Sequence, residues 1–308
     1  MKKSLKAVTA AALLAATVGA MGAGQVSAKT TIVSSDMPVK VLYNARQISG
    51  DVDLKVVDGA VLVPIRFISE KIGAKITLEG KEVTISNGKT VVQVTIGSRT
   101  AVVGGKSKAL NAKVISENGR TLVPLQAVAG LGIAVEWDSM TRYVWVGHKN
   151  VPELKDEEPK PTALKPYLNY YKNDGWMLNL TEPATNTTTI IDQTSFPFKI
   201  GNRVFYRFDL SFNDRNETYI KATTTDKGIM VTPLYFLTTD GRLLFRDALD
   251  KLRVSNGDFR THFYPIISER DKYLLNNANY KKFSLKQVSY IQLFATYDSF
   301  IFLKNPWR

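Results

Sequence analysis

One internal repeat constrains this chain more than any other feature. The segment LVPIRFISEKIGAKITLE, starting at Leu62, returns sixty positions later as LVPLQAVAGLGIAVEWD, one residue shorter. Each copy follows a turn signal, Asp58-Gly59 in the first and Asn118-Gly119 in the second. Proline suits the first turn of a helix, where its missing N–H would have had no partner. Ile65, Ile68 and Ile72 then recur at helical spacing, with Phe67 flanking the stripe, and Gly73 and Gly132 suit left-handed helix ends. Beyond each glycine the period changes to two. Ala74, Ile76 and Leu78 alternate with Lys75, Thr77 and Glu79, and Val83 and Ile85 face them across the Glu79-Gly80-Lys81 turn. Residues 90–96 and 100–103 add two strands around Gly97-Ser98. A short helix packed on small antiparallel sheets, used twice, is the predicted architecture.

The second half is a different kind of core. Residues 151–166 read VPELKDEEPKPTALKP, with four prolines and an acidic cluster at Asp156, Glu157 and Glu158, a composition that predicts a semi-rigid spacer. Only five of the 31 aromatic residues precede it (Tyr43, Phe67, Trp137, Tyr143 and Trp145). Beyond it, residues 203–210 alternate polar and apolar, though aromatics occupy both faces. Residues 229–237 and 242–245 flank the hairpin signal Thr238-Thr239-Asp240-Gly241, and residues 289–296 and 299–303 frame a turn at Tyr297-Asp298. Residues 247–254 carry the best helical pattern. The expected fold is α+β: an N-terminal module of two repeated short-helix-plus-antiparallel-strand units, then a mostly antiparallel β domain. The expected boundaries are a signal peptide over 1–28, the repeated domain over 29–150, the spacer over 151–166 and the aromatic domain over 167–308.

The N-terminus predicts export. Lys2, Lys3 and Lys6 precede an apolar run over 7–23, which closes on Val26-Ser27-Ala28 with small residues where a signal peptidase reads, so cleavage is expected after Ala28. Seventeen residues rich in Ala and Gly lie at the short edge of the roughly 17–25 that cross a bilayer, and no later run is long enough to span. The expected location is therefore extracellular or cell-wall associated. There are no cysteines, which excludes disulfides, a lipidated N-terminal cysteine and a thiol nucleophile. The net charge is +13, and +10 once Lys2, Lys3 and Lys6 are removed. A cation outside the cell meets polyanions, including phosphate-rich wall polymers, through salt-screened attraction. Export removes such a protein from nucleic acid.

The run LVPIRFISEKIGAKI, then IGSRTAVVGGKSKAL, then GRTLVPLQAVAGLGIAVEWD with a closing YVWV, resembles the stalk-type module named after the N-terminal domain of copper amine oxidases. The resemblance spans about residues 36–147. It implies spacing, adhesion or wall association, since similar modules occur in exported proteins of Gram-positive bacteria. It does not imply oxidase chemistry, which needs three histidine ligands and a tyrosine processed to a quinone. This chain has two histidines, His148 and His262, and Lys281-Lys282 follow Asn279-Tyr280 where an acidic residue would be wanted. No metal or cofactor is expected. The second copy replaces Arg66 and Glu70, spaced for a helix-surface ion pair, by Gln126 and Gly130.

Candidate binding residues cluster just after the spacer: Tyr167, Tyr170, Tyr171, Lys172 and Trp176, rings that stack on sugars beside a cation that reaches phosphate or carboxylate. The expected partner is an anionic cell-wall polymer or glycan, or a surface protein. No catalytic residue is assigned. The alternative is an extracellular hydrolase using two of Asp209, Asp214, Glu217, Glu269 and Asp271, or His262 with Ser211 or Ser255. No spacing fixes that geometry, and no G-x-S-x-G is present.

Overall fold

The Glu79-Gly80-Lys81 turn closes the hairpin that the alternation predicts, with Leu78 opposite Val83 and Ile76 opposite Ile85. It begins an antiparallel meander of five strands, Lys75–Glu79, Glu82–Asn87, Thr90–Thr95, Thr100–Val103 and Lys106–Ala109. The computed structural model describes residues 31–48, 54–179, 183–225, 233–276, 278–293 and 299–308. The expected signal peptide and the turn at Tyr297-Asp298 lie outside the described residues.

Strand Ala60–Pro64 runs directly into helix Ile65–Ile72, and strand Arg120–Pro124 into helix Leu125–Ala129. Each proline sits where a ladder ends and a helix starts, the two places that tolerate a missing N–H. The two strands pair antiparallel, Val63 opposite Val123, Leu62 opposite Pro124 and Pro64 opposite Leu122. Each helix packs on the other's strand as well as its own. Gly73 takes φ 69° and ends the first helix through its N–H to the Glu70 carbonyl. The second helix is shorter, and Gly130 has a packing reason: a Cβ there would lie 2.9 Å from Val103 Cγ2 and 3.2 Å from Val92 Cγ2. The Arg66–Glu70 ion pair expected on the first helix is absent from the ion pairs formed by the described residues; Arg66 is exposed and solvated. A further sheet places Tyr143–Val146 parallel to Lys40–Tyr43 and antiparallel to Val135–Asp138.

The second half is mostly antiparallel β, in two six-stranded sheets. One is ordered around Arg203–Asn213, Thr218–Thr224 and Phe259–Pro265. The other is ordered Thr162–Ala163, Thr187–Ile191, Ser299–Lys304, Val288–Gln292, Leu234–Thr238 and Leu243–Arg246. Between them lies a core containing Phe198, Phe205, Phe208, Phe236, Ile291 and Leu303. The register slips between Phe205 and Arg207, so Phe205 and Phe208 enter the same core although they are an odd number of positions apart. That bulge accounts for the aromatics on both faces of 203–210.

Three stretches differ from the sequence-based expectation. Residues 247–254 form only a 3-10 turn at Asp250–Leu252, because Gly257-Asp258 turns Val254–Asn256 back onto Phe259–Pro265, with Gly257 at φ 56°. Strand Ile32–Asp36 adds to the second half's sheet beside Arg203–Asn213. Within 151–166, Leu154 is buried in the second-half core, Glu153 pairs with Lys199 at 3.5 Å, Glu157 with Arg46 at 2.5 Å, and Thr162–Ala163 pairs with Thr187–Ile191.

Candidate functional site

The five aromatic and basic candidates over 167–176 divide between core and surface. The 3-10 helix Lys165–Tyr171 lays Tyr167 edge-on against Tyr290 and Phe302, with centroids 5.6 and 5.2 Å apart. Tyr171 is 1% exposed, stacks on Phe300 at 5.3 Å and donates its hydroxyl to Gln292 Oε1 at 2.6 Å. A ring held this way has no free face. Tyr170 is half-buried, while Lys172 is exposed and Trp176 is 58% exposed. What this region offers a ligand is therefore Trp176 and Lys172, with Tyr167 and Tyr171 as their support.

A second constellation forms where the two halves of the chain meet. Beyond the bulge, Arg207, Asp209, Ser211 and Asn213 share one face of their strand, and all four are buried. Arg207 grips Asp209 with two bonds of 2.6 Å, from Nε and Nη2, and donates onward to the carbonyls of Pro38 and Thr141. Tyr143 Oη donates to the Tyr206 carbonyl at 2.6 Å, and Gln47 Nε2 to the Gln193 and Phe196 carbonyls, each at 2.7 Å. Arg207 also lies 5.2 Å from the Tyr143 ring, a cation–π approach.

Beside this network opens a cleft of about 520 Å³. One wall is the chain at Ser35, Asp36, Met37 and Pro38; the other is the turn at Ser139, Met140 and Arg142, with Lys221 between them. Asp138 builds the turn by accepting from the Met140 and Thr141 N–H groups and the Thr141 hydroxyl. Arg142 sits at φ 52°, a left-handed conformation that costs a non-glycine residue on the order of 1 kcal/mol or more. Its Nε is buried and meets no hydrogen-bond partner. Lys221 lies opposite Asp209 in the sheet, but Asp209 is already taken by Arg207. Its ammonium instead donates to Met37 Sδ at 2.9 Å, a weak acceptor.

Charge at this seam is poorly compensated. Burial holds Lys221 below the usual lysine value, Asp209 partly restores it, and Arg207 and Arg142 depress it further. Burial likewise lowers Lys40, with Arg207 adding to the effect. Tyrosines shift the other way. Burial pushes the Tyr143 and Tyr171 hydroxyls well above 10.0 and lifts Tyr167 and Tyr219 to about 12, helped by Tyr290 and Glu217 respectively. An acid whose folded pKa is raised gives stability that is whole below its unfolded value and lost as pH climbs through the folded one. The two lysines contribute with opposite sign, since their lost protons relieve the folded state on the way to 10.5. The tyrosines outnumber them, so tyrosinate absorbance above pH 10 is expected to rise in one step together with loss of β-sheet circular dichroism. A gradual rise with the sheet signal intact would overturn this.

Three of the five carboxylates weighed for hydrolysis are held by structural partners. Asp209 belongs to Arg207 and Asp271 to Arg246; Glu217 is held by Asn213, Arg215 and Tyr219. His262 is buried opposite Ala222, and His148 is exposed. Among the described residues no three His, Cys, Asp or Glu gather as a metal site, and no helix is long and apolar enough to cross a membrane. Sequence reasoning missed Arg142, Lys221 and the Arg207–Asp209 pair. Asp138, placed to cap a turn between two strands, was the one local signal for Arg142.

Residues 42–146 match the copper amine oxidase N-terminal domain family, the family the LVP motifs resemble. No curated protein matches the chain. The match contains Ser139, Met140 and Arg142 and excludes Ser35–Pro38 and Lys221, so the cleft straddles its edge.

Proposed function

We propose that this chain is an exported, non-catalytic envelope protein that binds an anionic wall polymer or glycan, its N-terminal module serving as a rigid platform for the second half. The observation that carries the reading is the cleft. Arg142 and Lys221 border it without a carboxylate partner, while three of the candidate catalytic acids, Asp209, Glu217 and Asp271, are committed to structural bonds. Hydrolysis of a glycan needs two carboxyl groups facing one groove, and a cationic cleft serves binding instead.

The platform is two copies of one proline-led unit. The identical Leu-Val-Pro triplets and the pairing of the two strands about Val63 and Val123 support this, since a repeated unit buries its apolar strand best against its own copy. The signal-like N-terminus and the net charge of +13 support export and attraction to polyanions. Trp176 and Lys172 supply an additional surface contact.

Residues 29–308 are expected to sediment with purified cell walls at low ionic strength and to be released as salt approaches roughly 1 M, where the Debye length falls to about 3 Å. Protein that stays in the supernatant at low salt would refute wall binding.

A further inference from the structure

We infer that the cleft between the 139–142 turn and Lys221 is an oxyanion site that takes one phosphodiester group of a polymer. This deepens, and rests on, the reading of the chain as a binder of anionic polymers.

Three independent observations point the same way. First, two cations share the cleft and neither joins an ion pair with any described residue. Like charges in a partly desolvated cleft repel strongly, and an anion placed between them turns that repulsion into attraction. Second, the Arg142 guanidinium is not committed to the protein: its Nε is buried with no hydrogen-bond partner, so no group of the fold competes with a ligand for this cation. Third, the residue that carries this guanidinium is held in a left-handed conformation by a turn that Asp138 caps three times, so its backbone position is fixed before any ligand arrives.

The chemistry selects the ligand. A guanidinium presents parallel N–H groups that match two oxygens of a carboxylate or a phosphate, whereas an ammonium is a point charge. A carboxylate is planar, and once paired with the fork it keeps its remaining lone pairs in the guanidinium plane. A phosphodiester also has only two non-bridging oxygens, but they are set tetrahedrally about phosphorus, so one meets the guanidinium while the other turns out of its plane to Lys221 and to the Ser35 and Ser139 hydroxyls that line the cleft. Ser35 Oγ already pairs with Ser211 Oγ at 2.9 Å and keeps further hydrogen-bonding capacity. Asp36 on the rim opposes a dianion, so the singly charged diester of a polymer backbone fits better than a terminal phosphate. Met37, Met140 and Pro38 give the linking carbons an apolar wall.

The test is calorimetric titration of residues 29–308 with a phosphodiester-linked glycerol oligomer, and with polyglutamate of equal charge. The wild type is expected to bind the oligomer more tightly than polyglutamate. Arg142→Asn, which keeps a residue tolerant of the left-handed region, and Lys221→Met are each expected to weaken binding by at least about tenfold. Without ligand, Lys221→Met is expected to melt no lower than wild type, which separates lost binding from lost folding. Unchanged affinity in both variants, or equal binding of polyglutamate, overturns the site. Wall sedimentation distinguishes the two proposals: variants that sediment like wild type refute the cleft as the wall contact and leave wall binding standing. A wild type that binds the oligomer through these residues but ignores walls keeps the site and refutes wall binding.

Discussion

Replacing Asp271 by alanine is expected to destabilise the second half by about 3–5 kcal/mol, read as a drop in the urea midpoint without a change in slope. The reason lies in Arg246, whose side chain has no solvent exposure, like that of Asp271 itself. All five of its N–H groups are used. Two reach Asp271 at 2.9 and 2.8 Å, two the Ile266 carbonyl at 3.1 and 2.9 Å, and one the Phe245 carbonyl at 2.9 Å. Phe236 and Phe283 lie against the guanidinium at 4.8 and 5.5 Å. Burial lowers the Arg246 pKa and Asp271 raises it again, so the carboxylate is what makes a charged group tolerable there. Removing it leaves two donors and a full charge inside an aromatic core, and total stability is only about 5–15 kcal/mol. Asp271→Asn should do nearly as badly, because an amide turns donors towards donors. The double replacement Arg246→Met with Asp271→Leu is expected to recover most of the loss, since an apolar pair asks for no partner. A midpoint unchanged in Asp271→Ala would refute this account of the core.

How far the sequence reaches depends on whether the deciding contact is local. The 75–87 hairpin was legible because alternation and the turn at Gly80 lie within a dozen residues, and its register follows. The helices after Pro64 and Pro124 were legible for the same reason. Residues 247–254 misled because Leu249 and Leu252 mimic helical spacing, while Gly257-Asp258 decides the matter just beyond them. Tyr167 and Tyr171 were readable as an aromatic cluster. Their partners Tyr290, Phe300 and Phe302, however, arrive from more than a hundred residues away, and only those partners settle which rings face inward. The seam was least legible. Arg207 and Asp209 alternate with apolar neighbours, a pattern that reads as a polar face turned to water. Strand Ile32–Asp36, Pro38 and Thr141 cover that face instead, and no short-range signal announces a covering strand more than 160 residues upstream.

That covered polar face makes Asp209 the residue whose loss is expected to matter most at the seam. Asp209 is 3% exposed and accepts two bonds of 2.6 Å from Arg207. It is also the carboxylate that supports Lys40 and Lys221 against the desolvation both suffer. Asp209→Ala therefore strips one anion from three buried or half-buried cations, and a cost of at least about 3–5 kcal/mol is expected. Arg207→Met removes a cation instead. The freed carboxylate then faces Lys221 directly across the strand pair, and that lysine replaces part of what was lost. Arg207→Met is thus expected to cost less than Asp209→Ala, although Arg207 makes the additional bonds to Pro38 and Thr141. The Lys221→Met background checks the mechanism: without that lysine, Arg207→Met should become more damaging and Asp209→Ala less so. Amide exchange at Lys40, whose N–H bonds the Arg142 carbonyl at 3.1 Å, should quicken in Asp209→Ala before the rest of the chain opens, because the seam is what lets go. If Arg207→Met proves the costlier change in both backgrounds, the carbonyl bonds to the N-terminal half, rather than the balance of charge, hold the seam together.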